Sequence, residues 1–217
     1  MTYKLAMVAQ KGGVGKSTLA RIIAVEATKG GLRTKIADLD TQQTTCVKWA
    51  VRRANNGIEP PIRAEPFRTV APALQDAPSF DLYIFDGAPH SSVETQKACQ
   101  AADMVVIPTS EGLDDLEPSV VLANNLLKEW IPAGKIAFAL CITSDSEREI
   151  AGARDYLAKT PYTVLSGEIP FRSAFKISMD KGKAITETSF PTLRKRADGM
   201  AQSIIDAVAV AADHEVA

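Results

Sequence analysis

The segment Lys11-Gly12-Gly13-Val14-Gly15-Lys16-Ser17-Thr18 constrains this chain more than any other stretch. It lies between a short apolar run, Leu5 to Ala9, and a helical pattern from about Lys16 to Lys29 that Gly30-Gly31 stops. Strand, glycine loop and helix in that order make an anion cradle. The glycines let backbone N–H groups converge on an anion without Cβ clashes, and the helix start adds the positive end of its dipole. Lys16 can reach the β- and γ-phosphates of a nucleotide, and the Ser17 hydroxyl can ligate Mg²⁺. The general pattern G-x-x-x-x-G-K-[ST] is not met in full, because Gln10 stands where the first glycine belongs. The extra lysine at 11 and the glycines at 12 and 13 take its place. A plain surface turn is the alternative, and the joint occurrence of these glycines, lysines and hydroxyls weighs against it.

Downstream, short apolar runs alternate with longer helical stretches. Thr34–Ala37 ends at Asp38, Asp81–Phe85 ends at Asp86, Met104–Ile107 ends at Pro108, and a further strand covers Ile136–Ile142. An edge strand before Gly167 and another element ending at Ile169-Pro170 complete the set. Helical patterns run through Trp49 and over about 91–101, 115–130, 147–158 and 192–212. Strands apolar on both faces and separated by helices imply a mostly parallel, twisted sheet covered on both sides. Ligands of such α/β sheets sit at the carboxyl ends of the strands, where the unusual residues of this chain cluster. At 217 residues the expectation is one P-loop NTPase domain over 1–217.

Charge and cysteine usage narrow the options. With 25 basic and 26 acidic side chains the net charge is −1, so any nucleic-acid contact must come from a local patch. Cys46, Cys99 and Cys141 are far apart and form no C-x-x-C pair, which argues against a zinc ribbon or a disulfide framework and for reduced thiols. No apolar run approaches the roughly 18 residues of a membrane span, and Met1-Thr2-Tyr3-Lys4 lacks a signal-peptide character. The expected location is cytoplasmic.

The departure at the glycine loop is itself informative. The segment resembles the deviant Walker A motif of the ParA/MinD family of ATPases. The resemblance implies ATP/ADP and Mg²⁺ as ligands, and a nucleotide-sandwich homodimer in which Lys11 reaches the partner's phosphates. Gly12, Gly13, Val14, Gly15, Lys16, Ser17 and Thr18 would hold the nucleotide. Asp38-Leu39-Asp40-Thr41-Gln42 is similar to the family's D-x-D-P-Q switch, with Thr41 in place of proline. By that likeness Asp40 positions the attacking water, so that Lys11, Lys16 and Asp40 carry catalysis, while Asp38 supports the Mg²⁺ shell. Asp81-Leu82-Tyr83-Ile84-Phe85-Asp86-Gly87-Ala88-Pro89 is an apolar strand ending in a carboxylate, as a Walker B requires. Ser17, Asp38 and Asp86 then form the metal set. The D-G-A form resembles the small ParF-like plasmid-partition subgroup. His90 reads as a loop residue, since the family needs no histidine.

Further on, Asp115 aligns with a family aspartate near the dimer face. Glu111, Asp114, Asp115 and Glu117 form either an acidic helix start or a patch for a basic partner peptide. The family places its adenine-cupping residues where Pro170, Phe171 and Arg172 stand, although Phe171 also reads as a core residue. Residues 172–196 carry Arg172, Lys176, Lys181, Lys183, Arg194, Lys195 and Arg196 against Asp180 and Glu187, a local excess of five positive charges. This is either a solvated helix face or a surface for non-specific, salt-dependent DNA binding, and the resemblance favours DNA, through Lys176, Lys181, Lys183, Arg194, Lys195 and Arg196. No helix-turn-helix is expected before the first strand, and the acidic tail lacks the basic amphipathic helix that grips anionic lipid, so no membrane partner is expected. The implied protein is a weak, partner-stimulated ATPase of plasmid or chromosome partition. It would be nucleoid-associated and act with a centromere-binding adaptor of the ParB/ParG kind. The alternatives are a related ATPase that positions a protein cargo, and a metabolic P-loop enzyme.

Overall fold

A computed structural model describes residues 1–88 and 92–213. The expectation for His90 lies outside the described residues. Seven strands form one sheet: β1 (Tyr3–Met7), β2 (Thr34–Asp38), β3 (Arg63–Pro66), β4 (Leu82–Asp86), β5 (Met104–Thr109), β6 (Ile136–Thr143) and β7 (Thr163–Pro170). Their order across the sheet is β3-β2-β4-β1-β5-β6-β7, and every pairing is parallel. Among the described residues eight α-helices connect and cover them: α1 (Lys16–Lys29), α2 (Thr45–Asn55), α3 (Val70–Asp76), α4 (Val93–Ala101), α5 (Leu113–Lys128), α6 (Glu147–Leu157), α7 (Ser173–Asp180) and α8 (Pro191–Asp213).

Side-chain alternation along the strands builds two separate cores. Leu5, Met7, Ile36, Ile84 and Val106 face one way, onto Leu19, Ile22 and Ile23 of α1 and Met200 and Ile204 of α8. Ala6, Val8, Tyr83, Phe85, Val105 and Phe138 face the other way, onto Cys99 of α4 and Leu116, Leu122 and Leu126 of α5. Strands β2, β4 and β5 are buried along their whole length; β4 and β5 read as largely apolar runs, whereas β2 also buries Thr34, Lys35 and Asp38. Full burial of each large aliphatic side chain stabilises the fold by about 1.5–3 kcal/mol.

Two sequence expectations change. The separate elements around Gly167 are one strand, β7, with register shifts against β6. Gly167 sits at φ 77° inside it, and a Cβ there would lie 3.5 Å from the Met200 backbone N, because α8 crosses close by. Strand β3 was not expected at all. Its sequence Arg-Ala-Glu-Pro is short and mostly exposed, as suits a sheet edge, and carries no apolar run.

Candidate nucleotide-binding site

Parallel pairing brings the carboxyl ends of all seven strands to one rim, and the glycine loop emerges there from central β1. Gly15 caps α1 at φ 117°, a left-handed conformation open to glycine, and no side chain caps the helix. A Cβ on Gly15 would also meet Cys141 Cβ at 3.0 Å. The first helical bond runs from the Leu19 N–H to the Gly15 carbonyl at 2.9 Å, so the N–H groups before it form the usual open helix start. Across the loop, the Gly87 N–H donates to the Met7 carbonyl at 2.9 Å. A Cβ on Gly87 would lie 2.8 Å from that same oxygen, which accounts for glycine after Asp86.

Lys16 is buried and its ammonium donates to the Lys11 carbonyl at 3.3 Å. Burial pulls its pKa below the usual lysine value, against the attraction of Asp86 and Asp40. It lines a cavity with Gly12, Gly13, Gly15, Ser17, Thr18, Asp40 and Gly87. Asp40 Oδ1 accepts the N–H groups of Gln42 (3.2 Å) and Gln43 (3.0 Å), which hold its carboxylate in a tight turn.

Asp38 and Asp86 stand opposite each other on the paired strands β2 and β4. Both are buried. Asp38 Oδ2 accepts the Cys46 N–H at 2.9 Å and the Val47 N–H at 3.3 Å, and its Oδ1 accepts the Asp40 N–H at 3.2 Å. Burial, and then repulsion from Asp86, still pushes its pKa up to about 6. Burial also pushes Asp86 up, and the nearby Ser17 hydroxyl, the Cys46 thiol, Arg21 and Lys16 pull it part of the way back. Asp86 Oδ2 accepts from the Cys46 thiol at 3.1 Å, whereas Oδ1 has no hydrogen-bond partner among the described residues. Two buried carboxylates with an orphaned oxygen are costly without a cation. The site fits Mg²⁺ beside a bound polyphosphate.

Lys11 points elsewhere. Its ammonium donates to the Asp114 carbonyl at 2.5 Å and pairs with Asp115 Oδ1 at 2.7 Å, at the start of α5. Lys11 and the Ser110 hydroxyl, which bonds Asp115 Oδ2 at 2.6 Å, hold the Asp115 carboxyl below its usual range. Glu111 accepts the Ser144 N–H at 2.7 Å. Two of the four acids noted in the sequence are therefore used within the chain.

Pro170, Phe171 and Arg172 lie at the same rim but do not line the cavity around Lys16. Pro170 is buried beside Thr143, and the Phe171 N–H donates to the Thr143 carbonyl at 2.9 Å. The Phe171 ring is 71% exposed, so it is not a core residue. Arg172 pairs with Asp145. The cavity wall instead includes Arg21, Gln43, Thr45 and Met179. Arg21 is buried, donates to the Thr45 carbonyl at 2.8 Å and stacks over Trp49. One signal could have marked it, since it is the only charge within the apolar run Leu19–Val25.

In the basic segment, Lys176, Lys181, Lys183, Arg194 and Lys195 are exposed. Arg196 is drawn back: it pairs with Glu168 at 2.8 Å, alongside Arg154 on the same carboxylate at 3.2 Å.

A parallel α/β sheet with a glycine loop between β1 and α1, a buried lysine above it and paired carboxylates on β2 and β4 defines a P-loop nucleotide-binding protein. The family profile described as the CobQ/CobB/MinD/ParA nucleotide binding domain matches residues 5–185, and the chain belongs to that family. Among curated proteins none matches the sequence. Solved structures share the fold at low identity. The cell division ATPase MinD of Pyrococcus furiosus aligns at 16% identity with a TM-score of 0.75, over 95% of this chain and 99% of its own. Cyanothece McdA aligns at 16% identity with a TM-score of 0.71, over 94% of this chain and 100% of its own. A Borrelia burgdorferi protein assigned to plasmid partition, bound to AMPPNP, aligns at 16% identity and 0.73, over 95% and 99%. No helix among the described residues is long and apolar enough to cross a membrane.

Proposed function

We propose that residues 1–217 form a ParA-type ATPase that binds Mg·ATP and pairs face to face with a second copy across the nucleotide. In this reading the dimer binds DNA without sequence preference and segregates plasmid or chromosomal DNA. A centromere-bound adaptor stimulates its slow hydrolysis of ATP. The observation that carries the reading is the division between two lysines five positions apart. Lys16 is buried over the cavity, whereas Lys11 stands at the rim, half-exposed and paired with Asp115, a pairing it would exchange for the partner copy's phosphates in this reading.

The backbone of Gly12–Thr18 and the Lys16 ammonium would hold the phosphates, with Pro170, Phe171 and Arg172 toward the base end. Ser17, Asp38 and Asp86 would hold Mg²⁺. When bound, Mg²⁺ neutralises charge on the phosphoryl oxygens. Asp40 accepts a hydrogen bond from the attacking water and orients it, its carboxylate steadied by the Gln42 and Gln43 N–H groups. Lys11 from the partner copy adds positive charge where it develops, as an arginine finger does. Lys176, Lys181, Lys183, Arg194 and Lys195 supply the DNA face, and dimerisation doubles them.

The test is a salt titration of binding to random-sequence DNA with ATP and with ADP. The expected result is tighter binding with ATP, with log affinity falling by about 0.9 per phosphate contact for each unit of log salt. Lys11→Ala should weaken the ATP-dependent binding by weakening the dimer. Equal affinity with both nucleotides breaks the coupling. An ATP-dependent dimer that ignores DNA moves the reading to positioning of a protein cargo.

A further inference from the structure

The buried end of β4 holds one group that the phosphate chemistry does not use. Cys46 is the second residue of α2, fully buried, and its Sγ lies 3.1 Å from Asp86 Oδ2. Asp38, Cys46 and Asp86 each present one ligand atom, and these atoms all lie within 4.8 Å of one another. Asp86 is 2% exposed and its Oδ1 is without a partner. A thiol is a poor ligand for Mg²⁺, which takes oxygen donors, whereas sulfur with carboxylate suits zinc-like ions. Tetrahedral zinc sits about 2.3 Å from sulfur and about 2.0–2.2 Å from carboxylate oxygen, which sets its ligand atoms about 3.5 Å apart, so these three atoms move by about an ångström or less to share one ion.

We propose that Asp38, Cys46 and Asp86 form a binding site for a thiophilic divalent cation of the zinc class, and that it fills without nucleotide. Forming the metal–sulfur bond breaks the S–H bond, and the proton leaves to solvent. No change of oxidation state is involved. The glycine-loop cavity adjoins the cluster along the chain, since its wall includes Thr45 and Gly87, the neighbours of Cys46 and Asp86. Three protein ligands leave a fourth position for water. The site shares two carboxylates with the proposed Mg²⁺ shell, so the two ions exclude each other. It does not rest on ATP hydrolysis.

The test is titration of the nucleotide-free protein with Co²⁺ as the spectroscopic substitute for zinc, then displacement by Zn²⁺. The expected result is one equivalent of bound Co²⁺ with thiolate-to-cobalt charge-transfer absorption and the intense visible bands of tetrahedral cobalt. Zn²⁺ abolishes the spectrum, and excess Mg²⁺ does not. Cys46→Ser removes the charge-transfer band and weakens Co²⁺ binding by at least about tenfold, the low end even for an outer-shell metal partner. Circular dichroism checks that the variant is folded. Absence of the band in the unmodified protein overturns the proposal whatever the variants do. So does a band that persists in Cys46→Ser, or one that disappears in Cys99→Ala or Cys141→Ala. Mg·ATP binding by a protein that shows no cobalt band would leave the ATPase reading standing and this one refuted.

Discussion

Replacing Asp38 by Asn should stabilise the ligand-free protein at neutral and alkaline pH. The carboxyl is fully buried opposite Asp86 and titrates near pH 6, against 3.8 in a free side chain. About two pKa units at roughly 1.4 kcal/mol each put the cost of the ionised form near 3 kcal/mol. The sign follows from proton uptake. The native state keeps this proton to higher pH than the unfolded state does, so stability is lost as pH rises from about 4 to about 6. The asparagine keeps one oxygen for the N–H groups of Cys46 and Val47, while its amide nitrogen replaces the oxygen that accepts the Asp40 N–H, so that bond is lost. It gives up part of a charge-assisted set worth about 1.5–3 kcal/mol per bond. The net expectation is a gain of up to about 1.5 kcal/mol at pH 8, fading toward pH 4.5. Urea melts of both proteins at the two pH values, in chelator and without nucleotide, measure it. A variant less stable than the parent at pH 8, or a difference that does not change with pH, refutes the argument.

Two further outcomes test other parts of the molecule. Lys16→Ala should abolish ATP binding in calorimetry, since the buried cation over the glycine loop is lost, and unchanged affinity would sink the loop assignment. Arg53 is fully buried and donates to the carbonyls of Glu59, Pro60 and Gly182 and to both carboxylate oxygens of Glu187. Arg53→Met should cost about 3–5 kcal/mol in denaturant melts, because Glu187 keeps only Lys29 at 3.7 Å and the Ala184 N–H while three carbonyls lose their guanidinium donor, and a loss under about 1 kcal/mol would contradict that role.

The parts of the site that could be read from the chain are those where one strand ends in one unusual residue. β1 running into the glycine loop, β2 into Asp38 and β4 into Asp86 are local patterns, because each buried strand carries adjacent apolar residues just before the unusual one or its loop. Contacts made across the sheet had no such signature. Cys46 meets a carboxylate 40 residues away, and Lys11 meets one 104 residues away. Met179 reaches the cavity wall from a helix whose pattern gave no sign of it. Strand β3 was missed because an exposed edge strand of four residues needs no apolar residue on either face.

The alternation in β1 carries a consequence for how such a chain can change. Leu5 and Met7 fill one core, Ala6 and Val8 the other, and the phosphate loop begins three residues beyond them. Inserting or deleting one residue in this strand would exchange large side chains for small ones in both layers. It would also shift the loop by about 3.3 Å along the sheet, one full residue step. The strand therefore works as a ruler whose graduations are shared by packing and by ligand position. Length variation in descendants of this sequence should accumulate in the connections at the opposite rim, such as the turn Gly30–Arg33, and be absent between Tyr3 and Thr18.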